Sequence, residues 1–152
     1  MDTKKIICSF VVLVLISCKS THTPKTASIE KPINLEGVYY SPNKNAKIQF
    51  IKKDSTYIGK LIWNKEENLF DTKNKNVSLR DRKLIGIDLF FALTYKSYLK
   101  IWQGKFYDPT SGNTYNCDLW MTNANKTLMA RGYLKNAILN RTEALQRVDN
   151  NQ

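Results

Sequence analysis

The sequence predicts an all-β domain of about eight antiparallel strands closed into a barrel. Three observations carry that prediction. Short apolar runs alternate with polar residues at a period of two, the repeat of a strand with one face in a core and the other in water. Within Lys100–Met121, two aromatic runs flank Asp108-Pro109-Thr110-Ser111-Gly112-Asn113, where proline presets a turn dihedral and its neighbours tolerate positive φ or bond local backbone. Helical periodicity, finally, is almost missing between residues 35 and 148.

From the N-terminus, residues 1–17 open with Lys4 and Lys5 and continue through the apolar run Ile6–Ile16, short for a bilayer span and suited to a secretory signal. The ending Leu15-Ile16-Ser17-Cys18 resembles the bacterial lipoprotein box, whose cysteine receives diacylglycerol and becomes the new N-terminus. An ordinary signal peptide cut nearby, or an uncut anchor, is the alternative. Acyl chains on Cys18 would hold the protein to a membrane, since each buried methylene contributes about 0.8 kcal/mol. Lys19 stands where aspartate would resemble an inner-membrane retention signal, and no acidic export cluster follows. The expected location is therefore the outer membrane, facing the periplasm. Residues 18–34 carry the lipidated cysteine and KSTHTPKTASIEKP, too poor in large apolar groups to fold, and read as a flexible tether. Residues 35–148 suffice for one domain, with 149–152 as a disordered tail.

The chain carries 24 Lys+Arg against 13 Asp+Glu, a net charge of +11. Loss of residues 1–17 takes Lys4, Lys5 and Asp2, so the balance becomes 22 against 12, or +10. The lysines are dispersed along the chain, which argues for a solvated basic surface or attraction to anionic headgroups or glycans; nucleic acid is not an expected partner. Cys8 leaves with the signal and Cys18 is acylated. Cys117 then stands alone on an apolar face as a small hydrophobe, with no intrachain disulfide to form.

Strand signals fall at Gly37–Ser41, at Ala46–Lys53 with Ile48 and Phe50 against Lys47 and Gln49, and at Thr56–Asn64, apolar on both faces. Leu84–Thr94 is the most regular, with Ile85, Ile87, Leu89, Phe91 and Leu93 on one side. In the hairpin that follows, Tyr115, Cys117, Leu119 and Met121 alternate with Asn116 and Asp118, which are expected to face water. Thr127–Lys135 aligns Leu128, Ala130, Gly132 and Leu134, and Leu139–Val148 closes the count. Between the third and fourth runs lies Lys65–Lys83, a long polar connection with Asn68, Asp71, Asn74 and Asn76, of a length that tends to be functional or mobile. A short helix fits there.

Several motifs, in order, resemble one bacterial family: Tyr57-x-Gly59-Lys60-x-x-Trp63; Asp71-x-x-Asn74; Leu79-Arg80-x-Arg82-x-Leu84-x-Gly86; Trp102-x-Gly104-Lys105-x-Tyr107-Asp108-Pro109-x-Ser111-Gly112-x-Thr114-Tyr115; Arg131-Gly132-Tyr133; Arg141-Thr142. It is the domain-of-unknown-function family 2147, small exported proteins that look lipocalin-like, and the resemblance spans Leu35–Arg147. Departures are Tyr39 for tryptophan, Asn140 for glycine and Leu145 for tryptophan. The resemblance implies that Gly37-Val38-Tyr39 plugs the closed end of the barrel, with Arg131, Arg141 or Arg147 lying across the ring.

For function, two readings use overlapping residues. In the first, Asp71, Asn74, Arg80, Tyr107, Asp108, Arg131 and Tyr133 form a polar rim over an apolar cavity lined by Phe91, Trp102, Tyr115 and Leu119, a site for a small amphipathic molecule such as a lipid or envelope metabolite. In the second, those aromatics fill the barrel, Asp108 serves its own turn or pairs with Arg80 or Arg131, and the basic surface adapts to an envelope protein or glycan. Catalysis is disfavoured. The single histidine, His22, lies in the tether, which leaves the domain no Ser/His/Asp arrangement and no His-ligated metal. Neither a metal nor a cofactor is expected, and a carboxylate pair such as Asp71 and Asp108 has no spacing that marks a hydrolase.

Overall fold

The computed structural model describes residues 33–134 and 140–148. The expected signal, Cys18, the expected tether to Pro32 and the expected tail lie outside them. Eight strands follow in chain order: β1 Gly37–Tyr40, β2 Ala46–Lys53, β3 Thr56–Asn64, β4 Asp88–Lys96, β5 Ile101–Asp108, β6 Asn113–Thr122, β7 Thr127–Tyr133 and β8 Asn140–Arg147. Each pairs antiparallel with the next, and β1 pairs with β8 through Tyr39↔Arg147 and Tyr40↔Gln146, so the barrel is closed. Closure gives each described strand a partner on both sides.

The period of two decides which residues fill the interior. Ile48 and Phe50 on β2 face Leu61 and Gly59 on β3, while Trp102, Gly104 and Phe106 on β5 face Leu119, Cys117 and Tyr115 on β6. The resulting core is aromatic. Ring centroids run Tyr39–Phe50 at 5.5 Å, Phe50–Phe90 at 5.3 Å and Phe90–Phe106 at 4.8 Å, and Trp102 packs on Tyr57 and Tyr95 at 6.3 and 4.9 Å. Such pairs add about 0.5–1.5 kcal/mol each beyond the area they bury.

Antiparallel order sorts the connections between two ends. At the closed end lie the β2–β3, β4–β5 and β6–β7 turns and the segment leading into β1. At the open end lie the β1–β2 turn, the β5–β6 turn and the long connection from β3 to β4. Arg147 locks the closed end. Its guanidinium stands 4.7 Å over the Tyr39 ring, bonds the Tyr39 hydroxyl, and donates to the carbonyls of Glu36 at 2.8 Å and Asn34 at 3.0 Å. Of the three arginines considered, Arg147 is the one that lies across the plug; Arg131 pairs with Asp118 and Arg141 with Glu143.

Three expectations need correction. The fourth strand begins at Asp88 instead of Leu84, Ile85 is 40% exposed, and the even alternation breaks at Ala92, which has φ of 51° and sits in a register shift between Phe91 and Thr94. Gly104 on β5 permits that bulge: a Cβ there would stand 2.8–2.9 Å from the Phe91 and Ala92 carbonyl oxygens. Asp118, expected in water, is buried, because the register sets it between Gln103 and Arg131. Leu134 lies past the end of β7 and is exposed.

Candidate functional site

The long connection sends Leu84 into the core cluster, with Leu69 packed against it, and lays the stretch around Asp71 and Asn74 on the outer wall at Tyr107. Phe70 pairs with Lys83, with Asp71 N–H donating to the Arg82 carbonyl at 3.0 Å and Leu84 N–H to that of Leu69 at 2.9 Å. Between these arms Asn74 and Asn76 direct the chain: the side chain of Asn74 accepts from Asn76 N–H and that of Asn76 from Ser78 N–H, which starts a single 3-10 turn, Val77–Leu79. Gly112 in the β5–β6 turn, at φ of 68°, lets the connection approach. A Cβ there would stand 1.8 Å from the Lys73 carbonyl oxygen.

Asp71 is the fastening point and is fully buried. It accepts the Tyr107 hydroxyl on Oδ1; on Oδ2 it accepts Asn74 Nδ2 at 2.7 Å and Arg82 Nε and Nη2 at 2.9 and 2.7 Å. Burial pushes the carboxyl pKa up, but these bonds and the Arg82 charge outweigh it and hold the pKa below its ordinary value. Tyr107 is pushed up to about 12 by burial and by the bond to Asp71. Both carboxylate oxygens are thus engaged, and the cluster works as a clamp.

Beside the clamp lies an open groove of about 540 Å³, lined by Asn74, Lys75, Asn76 and Arg82 from the connection, Asp88 and Phe91 from β4, Tyr107 from β5, Gly112, and Thr114 from β6. Tyr107 pairs with Thr114, and both alternate with the interior residues Phe106 and Tyr115, so the groove is on the outside of the barrel near its open end. Phe91 faces the same way, opposite Lys105. Lys60 bonds Asp88 at 2.8 Å, leaving the carboxylate on the groove partly neutralised.

The expected rim therefore divides. Asp71, Asn74 and Tyr107 meet, and Arg80 supports them by donating from Nε to the Asn74 carbonyl at 2.8 Å. Phe91, expected inside, lines the outer groove. Trp102, Tyr115 and Leu119 do face the interior, where the Trp102 indole N–H is buried without a protein acceptor. Asp108 closes its own turn, accepting Thr110 N–H at 2.9 Å and the hydroxyls of Thr110 and Ser111, each at 2.7 Å. Arg131 and Tyr133 belong to a separate outer-wall cluster around Asp118, which accepts Arg131 at 2.5 Å, Gln103 at 3.0 Å and the Tyr133 hydroxyl at 3.3 Å. Burial and the Asp118 charge raise the Tyr133 pKa. Sequence reasoning missed Arg82, Lys75 and Asp88 as groove residues. Arg82 was visible in the Arg80-x-Arg82 spacing, whereas the other two had no signal of their own. Among the described residues no group of three or more His, Cys, Asp or Glu side chains gathers to hold a metal ion.

A closed eight-stranded antiparallel barrel, plugged at one end by an aromatic under an arginine, defines a lipocalin-like barrel. A solved structure agrees with that class: protein HP1028 from the human pathogen Helicobacter pylori, described as belonging to the lipocalin family. It aligns at a TM-score of 0.68 over 78% of this chain and 85% of its own, with 21% identity. The chain itself belongs to the family described as "Uncharacterized protein conserved in bacteria (DUF2147)", whose profile matches residues 37–147. No curated protein matches it.

Proposed function

We propose that this is a non-catalytic, lipid-anchored envelope protein that holds a small amphipathic molecule in the outer-wall groove at the open end of its barrel. The observation that carries this reading is the groove itself. Its volume of about 540 Å³ falls within the usual 300–1,000 Å³ of small-molecule sites, and its lining combines Phe91 with the polar residues Lys75, Asn76 and Arg82. The floor is held in place by the Asp71 clamp, so little ordering is required on binding. The interior ring chain favours an outer location over an axial one.

The rings stacked through the interior also favour a second reading, an adaptor that meets an envelope protein or glycan through its basic surface. Native mass spectrometry and fluorescence titration with envelope lipids separate the two. Under the first reading the wild type retains a non-covalent mass or responds to titration, and Phe91→Arg abolishes both while keeping its circular dichroism. Neither retention nor response in the wild type overturns the groove, and pull-down from solubilised envelopes then tests the adaptor. Anchoring is tested separately. Cys18→Ser should release the protein from the membrane fraction or block its processing, and an unchanged distribution and mass would refute it.

A further inference from the structure

We propose that the closed end of the barrel docks on the anionic headgroups of the membrane that carries the anchor, with Tyr98 and Leu99 entering the interface. The turn between β4 and β5 projects these two side chains at 80% and 49% exposure, and Tyr98 is the most exposed large apolar residue among those described. The tip is held by backbone bonds from Leu99 N–H to the Lys96 carbonyl at 3.1 Å and from Lys100 N–H to that of Ser97 at 3.3 Å. Beneath it, Tyr95 packs on Trp102 at 4.9 Å, so the tip is continuous with the core.

The other two turns of this end surround the tip with charge. Lys52 and Lys53 lead into the β2–β3 turn and Lys126 ends the β6–β7 turn, all exposed, against the acids Glu36 and Asp54. An apolar, tyrosine-bearing tip within a basic collar matches a bilayer interface, where tyrosine is enriched and lysines meet phosphate. The chain's path points the same way. Residue 33 enters β1 at this end, and the fourteen residues between Cys18 and Ile33 reach at most about 50 Å. An anchor at Cys18 therefore confines the closed end near the lipid surface, where even weak docking is populated.

The inference rests on Cys18 being acylated, and the test reads that separately. The full acylated chain, its mass verified, is reconstituted into vesicles of phosphatidylcholine with or without phosphatidylglycerol, carrying a nitroxide at Ser97→Cys or, for comparison, at Val77→Cys on the open end. In anionic vesicles the label at 97 should gain oxygen and lose aqueous nickel collisions, while that at 77 stays aqueous. Tyr98→Ser with Leu99→Ser should abolish the difference, and Lys52→Gln should weaken it about fivefold in a salt-sensitive manner. An aqueous label at 97, equal insertion in zwitterionic vesicles, or a label at 97 shielded from both colliders by protein each overturns the proposal. If the acyl mass is missing, the docking proposal falls together with its anchor, whereas an acylated chain whose label at 97 stays aqueous overturns the docking alone.

Discussion

Replacing Asp71 by alanine should cost about 3–5 kcal/mol. The carboxylate is fully buried and accepts four bonds from three side chains. Its removal leaves the Tyr107 hydroxyl without an acceptor and the Asn74 amide with only one of its two, the Tyr107 oxygen at 3.0 Å, at about 1–3 kcal/mol for each lost bond. Arg82 adds little, since its side chain is 38% exposed and returns to water. Urea unfolding at pH 7 gives the loss as a shift in midpoint at constant slope. The same site carries a pH signature. Because the folded pKa lies below the ordinary 3.8, the unfolded chain binds more protons at acid pH. Stability from Asp71 is then complete above about pH 5 and declines as pH falls through 3.8 towards the folded pKa. Asp71→Asn should flatten this acid limb, and a double-mutant cycle with Tyr107→Phe should show coupling of about 1–3 kcal/mol. A loss below about 1 kcal/mol for Asp71→Ala, or an unchanged acid limb for Asp71→Asn, would refute the clamp.

Gly112→Ala should cost about 2–4 kcal/mol, combining the left-handed backbone penalty with a methyl driven into the Lys73 carbonyl. Amide shifts concentrated at residues 73–76 are the expected NMR pattern, and an unperturbed connection would sink the explanation. Arg147→Lys should lose about 1–3 kcal/mol of stability, because an ammonium cannot both cover the Tyr39 ring and bridge the carbonyls of Asn34 and Glu36; thermal unfolding unchanged from wild type would contradict it. Cys117 is buried, and burial first, then the Asp118 charge, pushes its thiol up to about 12. Alkylation of Cys117 at pH 8 should therefore track unfolding and accelerate with denaturant, and rapid modification of the native protein would show the strand to be open.

Where a feature depends on neighbours in the chain, the sequence read it closely. The bounds of β2 and β3 match the expected Ala46–Lys53 and Thr56–Asn64. Asp108 was legible as a turn residue because its partners, Thr110 and Ser111, lie two and three residues away. The fourth strand misled because its alternation, although real in the sequence, crosses a bulge that a glycine on another strand makes possible. Asp118 looked solvent-facing for a related reason: Gln103 and Arg131 reach it only through the register of β5, β6 and β7.

The candidate site shows the same division. Asp71, Asn74 and Tyr107 could be named beforehand, and the β5–β6 turn holding Gly112 could be placed. That Tyr107 points outward, that Arg82 completes the clamp, and that the groove lies outside a barrel packed with rings were all decided by the tertiary structure. The sequence by itself determined the all-β class, the strand count, the hairpin at Asp108 and the aromatic content of the core, because a period of two and turn chemistry act over a few residues. Only the closed barrel decided which arginine covers Tyr39 and which face carries the groove. Those outcomes depend on register, on the side swapped at each bulge and on pairing between β1 and β8, all of which join residues distant in the chain.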